Sequence, residues 1–394
     1  MSTHNEQATA RPVPSPRGVG QSVADPATEP PDTPFGALRS VLTGRARHLY
    51  GAAVLRVGYG LLYLVFLLRE FPHRDEIWGP GSPWTPALTR QLFDQTGWVS
   101  VLTLSDSRLY FEAVYALAML TAALFLLGWH TRVVSVVFAV LVASFHAKAI
   151  FVTDGGDNLI LLMALYLSCT ACGRRWSLDA RRAKRRAAAK GHAAPVPPGA
   201  EAGRPGLRQQ LTLCREELTT ALHNCAMVVI AVQVCVLYGA AGLFKVQGGA
   251  WGNGTALHYV LNLDLFRPWP ALSSLVDSHE VLLTVICYLT VLSQVAFPFV
   301  LFGRLKYPVL GLMLATHLSI AALMGLPLFS GAMIVADAVF LSDGAYRWLA
   351  GAARGRLRGR RRPPEGVDDA RPGHDAPEAA HPAGTDHGEP VGAR

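Results

Sequence analysis

Long apolar segments separated by short polar connections are the feature that most limits what this chain of 394 residues can fold into. An α-helix needs about 20 apolar residues to cross the hydrocarbon core of a bilayer. Eight segments approach this length, at about residues 49–68, 109–128, 133–152, 158–173, 222–243, 281–302, 307–325 and 328–343. The fourth and the eighth are short, and each is predicted to be either an incomplete span or a strongly buried helix. We therefore predict an all-α fold, a polytopic membrane helix bundle with about eight transmembrane helices.

The basic residues alternate along the chain as a membrane topology requires. Lys and Arg collect in every second connection, whereas the connections between them are acidic or carry few cations. The first part of the connection 174–221 contains Arg174, Arg175, Arg181, Arg182, Lys184, Arg185, Arg186 and Lys190. Since basic connections stay in the cytoplasm, we predict a multi-pass protein of the cell membrane with both termini cytoplasmic.

Composition favours the same class of protein. Charged residues make up only 16% of the chain, against about 25% in a soluble domain. The formal net charge of +8 could suggest a nucleic-acid partner, but the cations lie in short runs between apolar segments. The predicted partner is therefore the lipid bilayer, and no nucleic-acid partner is expected.

The chain divides by composition into a membrane region and two polar tails. Residues 1–47 are predicted to be a disordered N-terminal tail and lead-in. Residues 48–343 form the predicted transmembrane domain, with 174–221 as its basic cytoplasmic loop. Residues 344–394, basic and then rich in Pro, Asp, Glu and His, are predicted to be a disordered cytoplasmic tail.

Ionisable side chains at membrane depth are costly, so each is a candidate for function. His146, Lys148, Asp157 and Lys245 fall in the predicted outer half of the bundle, and His317 lies near mid-depth. One cavity open to the outer face could hold them all. Because His146 and Lys148 are two apart on a helix, at most one is expected to face it easily. The alternative is a structural role, such as a buried neutral His317 hydrogen-bonded across helices.

The inner half contains two further ionisable residues. Arg56 is expected to snorkel or to pair with a neighbouring helix, and Asp337 is its candidate partner. Near the same face, Cys169 and Cys172 form a C-x-x-C pattern that lacks a second pair of ligands. We therefore predict no metal site.

The stretch 238–254 combines small residues, a lysine and a glycine-rich turn. Gly242 and its small neighbours allow a second helix to come close. Lys245 follows at the outer end of the fifth span, and a partly desolvated lysine has its neutral form favoured and can act as a base. The alternative is an interfacial Lys245 that snorkels beside Trp251, which then belongs to the aromatic belt.

Several short motifs occur in the order found in a known membrane family. They are Ala241-Gly242-x-x-Lys245 followed by Trp251-x-x-Gly254, the stretch from Cys172 to Asp179 that ends in Ser-Leu-Asp, Asp154-Gly-Gly-Asp157-Asn158, and His317-Leu-x(6)-Gly325-x-Pro327-x-Phe-Ser330. With these motifs, residues 49–343 resemble the HTTM family, the membrane domain of vitamin K-dependent gamma-carboxylase and its bacterial relatives.

The resemblance implies a site for a lipid-soluble reduced quinone. Lys245 would be the base that deprotonates the quinol, and His317 would be the second catalytic residue. The resemblance also implies that Asp157 or Asn158 lines this outward-facing pocket. His146 and Trp251 are the further candidate ligand-binding residues.

The carboxylase continues into a lumenal domain that binds its protein substrate, whereas only a short tail follows the last predicted span here. Carboxylation of protein Glu side chains is therefore not expected, and the chain is more similar to the short sporulation-delaying protein B type. Two functions stay open. One is a quinol-using membrane enzyme with Lys245 as its base. The other is a non-catalytic membrane factor for maturation or export of a secreted peptide.

Overall fold

A computed structural model describes residues 34–190, 206–301 and 303–359 of the chain. Within these ranges the fold is all-helical and contains no β-strand, which confirms the predicted fold class. The α-helices are α1 (Pro34–Thr43), α2 (Leu49–Glu70), α3 (Arg74–Ile77), α4 (Pro86–Thr96), α5 (Arg108–Leu127), α6 (Thr131–Lys148), α7 (Gly155–Ser168), α8 (Leu178–Lys190), α9 (Leu207–Gln247), α10 (Gly249–Gly252), α11 (Ala256–Leu261), α12 (Pro270–Asp277), α13 (Glu280–Val300), α14 (Lys306–Leu323), α15 (Pro327–Asp337) and α16 (Asp343–Gly359).

Six helical segments are long and apolar enough to cross a bilayer, which indicates a multi-pass membrane protein. They are Leu49–Ile77, Arg108–Leu127, Thr131–Lys148, Leu207–Gln247, Glu280–Val300 and Lys306–Leu323. The fourth and the eighth predicted spans correspond to α7 and α15, which have 14 and 11 residues. Both are shorter than the roughly 20 residues of a full crossing. Eight complete crossings therefore remain a prediction.

The predicted N-terminal tail and lead-in, 1–47, contains the helix α1, which is not predicted from the sequence. Asn224 of α9 holds the end of α1 in place. Its Nδ2 donates to the carbonyl oxygens of Leu42 at 2.7 Å and Arg45 at 2.9 Å, and its Oδ1 accepts from the N–H of Arg47 at 2.9 Å. Composition misses this helix because tertiary bonds from a distant residue satisfy its last carbonyl groups.

The other two polar regions also contain helices. α16 occupies the first part of the predicted tail 344–394, and α8 with the start of α9 occupies much of the loop 174–221. The basic, alanine-rich sequence of α8 favours a helix without any apolar core, because Ala, Arg and Lys have high helix propensity. The predictions for 1–33, 191–205 and 360–394 concern residues outside the described ranges.

The first spans pack through close backbone contacts and buried rings. α2 comes so near to α5 that a Cβ on Gly60 would lie 3.0 Å from the backbone nitrogen of Leu126. The buried rings of Phe125 and Phe138 stack with their centroids 4.4 Å apart and join α5 to α6. Packing of this kind holds helices together in lipid, where no hydrophobic force favours their contact.

α9 is the longest helix and packs on α13 through its small residues. A Cβ on Gly242 would lie 2.8 Å from Cγ2 of Val295, which is the close approach that the small-residue run predicts. α9 has 41 residues without a proline. At 1.5 Å per residue it is about 60 Å long, roughly twice the thickness of the hydrocarbon core.

A fully buried arginine organises the end of the bundle that the charge pattern predicts to be cytoplasmic, which we call the inner end. Arg56 of α2 donates from Nη2 to the carbonyl oxygen of Trp176 at 2.6 Å and from Nη1 to that of Phe125 at 3.5 Å. Gly128, whose φ is +72°, leaves room for this guanidinium, because a Cβ there would lie 1.6 Å from Nη1. Arg56 therefore does not pair with Asp337 as expected, since its two Nη atoms donate to backbone carbonyl groups instead.

The Ser-Leu-Asp element has a structural role at the same end. The Asp179 carboxylate accepts from the N–H groups of His130 at 3.0 Å and Thr131 at 2.7 Å, and from the Thr131 hydroxyl at 2.9 Å. It thus caps the start of α6, whose first N–H groups have no partner within the helix. Burial opposes ionisation of Asp179, but these hydrogen bonds hold its pKa below the usual value.

Candidate functional site

A cavity of about 570 Å³ opens among α2, α3, α6, α7 and the connection before α4. It lies at the end of the bundle that the charge pattern predicts to be the outer one. Three of the residues singled out in the sequence, His146, Lys148 and Asp157, line it. Much of the remaining wall is aromatic, from the side chains of Tyr63, Phe66, Trp78, Trp84, Phe145 and Phe151. We call it the outer cavity.

Both His146 and Lys148 line the outer cavity, which corrects the expectation that at most one would. The reason is that α6 ends at Lys148. The long side chain of Lys148 reaches past the last turn of α6 to the connection before α4 and to α4 itself. The angular argument from helix spacing therefore does not limit this residue.

Lys148 is only 3% exposed and is held by neutral acceptors. Its Nζ donates to the carbonyl oxygen of Trp84 at 2.7 Å and to Oγ1 of Thr89 at 2.7 Å. No carboxylate lies within ion-pair distance of it in the part of the chain that the structure describes. A buried amine without a counter-ion is the environment in which a lysine can serve as a base.

Three other polar groups on the wall have no protein partner. Oη of Tyr63 and Nε1 of Trp84 are buried without a hydrogen bond. The ring of His146 is 9% exposed and also has no hydrogen-bond partner among the described residues. A buried polar group without a partner costs about 1–3 kcal/mol. These groups therefore point to a ligand that supplies the missing bonds.

Asp157 and Asn158 belong to the start of α7. The side chain of Asp154 accepts from the N–H of Asp157 at 2.9 Å, and the side chain of Asp157 accepts from the N–H of Asp154 at 3.1 Å. This reciprocal capping box satisfies two N–H groups that the helix leaves free. Asp157 also lines the outer cavity, whereas Asn158 is exposed, donates to the carbonyl oxygen of Asp154 at 2.8 Å and does not line it.

An exposed ion pair lies in electrostatic range of Lys148. Arg90 donates from its two Nη atoms to the two carboxylate oxygens of Asp106, at 2.8 and 2.9 Å. This hydrogen bonding lowers the pKa of Asp106 below its usual value. Since Arg90 engages both oxygens, Asp106 acts on Lys148 only through its charge.

His317 lies in a separate buried cluster whose centre is Tyr238. The Tyr238 hydroxyl lies 3.0 Å from Nε2 of His317 and donates to Oδ2 of Asp337 at 3.0 Å. The three side chains join α9, α14 and α15. Nδ1 of His317 and Oδ1 of Asp337 are buried without partners. The cluster supplies the cross-helix hydrogen bond of the structural alternative and leaves two polar atoms free for a further role.

Lys245 is half-buried near the predicted outer end of α9. Its Nζ lies 5.3 Å from the ring centroid of Trp251 and donates to the carbonyl oxygen of Ala241 at 3.4 Å. It interacts electrostatically with His317. Lys245, Trp251 and His317 are not among the residues that line the outer cavity.

Phe329 of α15 lies between the two groups of candidate residues. Its ring centroid is 6.1 Å from that of His317. On its other side it packs on the start of α7, where a Cβ on Gly156 would lie 2.9 Å from Cα of Phe329. The structure therefore places His146, Lys148 and Asp157 around one cavity and puts His317 with Tyr238 and Asp337.

Sequence reasoning misses three residues of these groups, Tyr238, Tyr63 and Trp84. For Tyr238 a signal was present, because it lies seven residues before Lys245 and therefore on the same helical face. For Tyr63 and Trp84 no such signal exists, since their lack of partners depends on the packing of other elements.

The polar groups around the outer cavity are thus an amine, a guanidinium, an imidazole, a phenol, indole N–H groups, hydroxyl groups and carboxylates. Within the described ranges, no three His, Cys, Asp or Glu side chains are grouped in a way that could hold a metal ion. Comparisons of this chain with protein-family models, with curated proteins and with solved structures find no match.

Proposed function

We propose that this chain binds a lipid-soluble quinone, in its reduced form, in the outer cavity. One observation carries the proposal. A single aromatic wall combines a buried lysine that has no carboxylate partner with three polar groups that have no protein partner.

The outer cavity fits this ligand class in size and in chemistry. Its volume of about 570 Å³ lies within the roughly 300–1,000 Å³ that is typical of small-molecule sites. The rings of Phe66 and Phe145 offer flat apolar surface to an aromatic ligand. The Tyr63 hydroxyl and the Trp84 indole N–H are donors, which suits the oxygen atoms of a quinone.

Lys148 is the residue in this cavity that could move a proton. Its two hydrogen bonds fix the amine in position, and a neutral amine accepts a proton from a ligand hydroxyl. A bound reduced quinone would supply the redox chemistry. Lys245 is the alternative base, and the resemblance to the HTTM family supports it. The charge of Lys245 acts on His317.

Solvent extraction and mass spectrometry of the purified full chain test this proposal. We expect a quinone to co-purify with the wild type and with Lys306→Met, and to be lost from Lys148→Met. Lys306 is a matched control because it begins α14 at the opposite end of the bundle. Loss from Lys245→Met with retention in Lys148→Met would move the site to Lys245. A wild-type protein without any quinone would contradict the proposal.

A second candidate is a non-catalytic factor for maturation or export of a secreted peptide. It draws support from apolar side chains on the two long outer connections, where Val99 and Leu265 are each 83% exposed. Photo-crosslinkers at these two positions should then capture a peptide. Capture together with an absence of quinone would favour this function over the first.

We also propose HTTM-type topology, with eight spans and both termini cytoplasmic. The support is the agreement of hydropathy with the alternation of basic connections. Single cysteines should be labelled from outside the cell at 80–100 and 255–275, and should stay unlabelled at 180–190. External labelling at 185 would contradict this topology.

A further inference from the structure

A second, larger groove lies at the other end of the bundle. It has a volume of about 1450 Å³ and is bounded by the starts of α2 and α6, the end of α7, the helix α8 and the first part of α9. The charge pattern predicts this end to be cytoplasmic. We call it the inner groove.

The inner groove is lined by eight Lys and Arg side chains and one carboxylate. The cations come from four separate segments. Arg132 is the second residue of α6, Arg174 and Arg175 precede α8, four more belong to α8 itself, and Arg215 belongs to α9. Their convergence brings together charges that are more than 80 residues apart in the chain, from 132 to 215.

The single carboxylate is already engaged. Asp179 accepts three hydrogen bonds at the start of α6, and the nearest guanidinium, that of Arg182, lies 3.9 Å from it. No other cation of the lining has an ion-pair partner within the described ranges. Eight cations and one carboxylate leave a net charge of +7 in the lining.

Aromatic side chains orient part of this charge. The guanidinium of Arg182 lies 5.8 Å from the ring centroid of Trp129, and that of Arg175 lies 5.4 Å from the ring centroid of Tyr50. Trp129 and Trp176 both line the groove, at the level where spans begin and where Trp side chains meet lipid headgroups.

We propose that the inner groove binds the headgroup of a phospholipid that carries two phosphates. A lipid fits better than a soluble anion because the groove opens among the ends of spans and includes the apolar side chains of Leu49 and Val133. Two phosphates fit better than one because the eight cations come from separate segments, with Arg132 on α6 and Arg215 on α9 in addition to those of α8. Basic pockets between spans on the cytoplasmic side are known to hold such headgroups.

Basic connections also arise simply to set topology, and this explanation makes a different prediction. Charge that only sets topology acts through its sum, so any cation on that face contributes equally. A built groove depends on the cations that line it. Variants with equal loss of charge at different places therefore separate the two explanations.

The test uses the purified full chain and native mass spectrometry with a diphosphate phospholipid of the cardiolipin class. The groove variant is Arg132→Gln/Arg174→Gln/Arg215→Gln, and the control is Arg208→Gln/Arg304→Gln/Lys306→Gln, which removes equal charge outside the lining. Because the groove variant removes three lining cations, affinity should fall at least about tenfold in it and less than about twofold in the control.

Equal weakening in both triple variants would overturn the proposal, because total charge would then explain binding. Two probes test the ligand class. Phosphatidylglycerol at equal phosphate concentration should bind more weakly, and equal binding would overturn the need for two phosphates. Inorganic pyrophosphate should fail to displace the lipid, and full displacement at equal concentration would assign the groove to a soluble anion.

Discussion

The two ends of this bundle present cavities built on opposite principles. In the outer cavity Tyr63, His146 and Lys148 are buried among rings, charges of both signs line the wall, and several polar groups have no partner. In the inner groove the charged side chains are mostly exposed cations, and the only carboxylate of the lining, that of Asp179, caps α6. The first arrangement suits recognition of a ligand through hydrogen bonds. The second attracts one by charge, and salt weakens it.

The largest expected effect is a loss of stability on replacing Gly128, which leaves room for Arg56 at the inner end. Gly128→Ala should lower the free energy of unfolding by about 3–5 kcal/mol, because it strains a positive φ and displaces Arg56 from its carbonyl partners. Thermal unfolding in detergent measures this. Gly311→Ala is the matched control, since a Cβ there meets nothing within 4 Å. Similar stability of both variants would show that Arg56 does not organise this end.

In the inner groove, Asp179→Ala should change stability and lipid binding in opposite directions. It removes the cap of α6 and should lower stability by about 1–2 kcal/mol. It also raises the net charge of the lining, so binding of a diphosphate lipid should become tighter even as the protein becomes less stable. Thermal unfolding and native mass spectrometry on the same sample check both. Weaker lipid binding would mean that Asp179 shapes the groove more than it charges it.

Tyr63→Phe is the corresponding change at the outer cavity. The hydroxyl of Tyr63 has no protein partner, so its removal should leave stability unchanged and weaken quinone retention about two- to tenfold. Tyr110→Phe is the control, because its hydroxyl donates to the carbonyl oxygen of Val101 at 2.8 Å outside the cavity lining. Tyr110→Phe should lose stability and keep the quinone. If Tyr63→Phe lost stability but kept the quinone, a ligand at Tyr63 would be contradicted.

The smallest expected effect is a pH dependence of thermal stability that comes from the ion pair of Arg90 with Asp106. The pKa of Asp106 is lowered in the folded state by its hydrogen bonds to Arg90. Its stabilising contribution is therefore complete above the unfolded pKa and is lost as pH falls through the lowered folded value. Asp106→Asn should flatten the decline of thermal stability below about pH 4. Asp94→Asn, on the helix α4 that also carries Arg90, is the matched control.

The spans were predictable because hydropathy acts over whole helices. The predicted starts at 109, 281 and 307 each fall one residue from the observed starts of α5, α13 and α14. The helix α1 was not predictable, since it depends on Asn224, which is far away in the sequence. Local composition cannot report such a bond.

The sites were predictable as residue types but not as groups. Depth in a span singled out His146, Lys148 and His317, yet it could not say that Phe329 lies between the cavity and His317. Nor could it find Tyr63, whose significance is an absent hydrogen bond. Which side chains share a cavity is decided by helix packing, and spacing along one helix carries little of that information.

The helix α9 is long enough to connect the two ends of the bundle. Arg215 of the inner groove and Lys245 lie on one uninterrupted helix, 30 residues or about 45 Å apart. Its close contact with α13 at Gly242 lies near the Lys245 end. A tilt of α9 about that contact would therefore displace Lys245 little and Arg215 much more, because Arg215 lies farther from the contact.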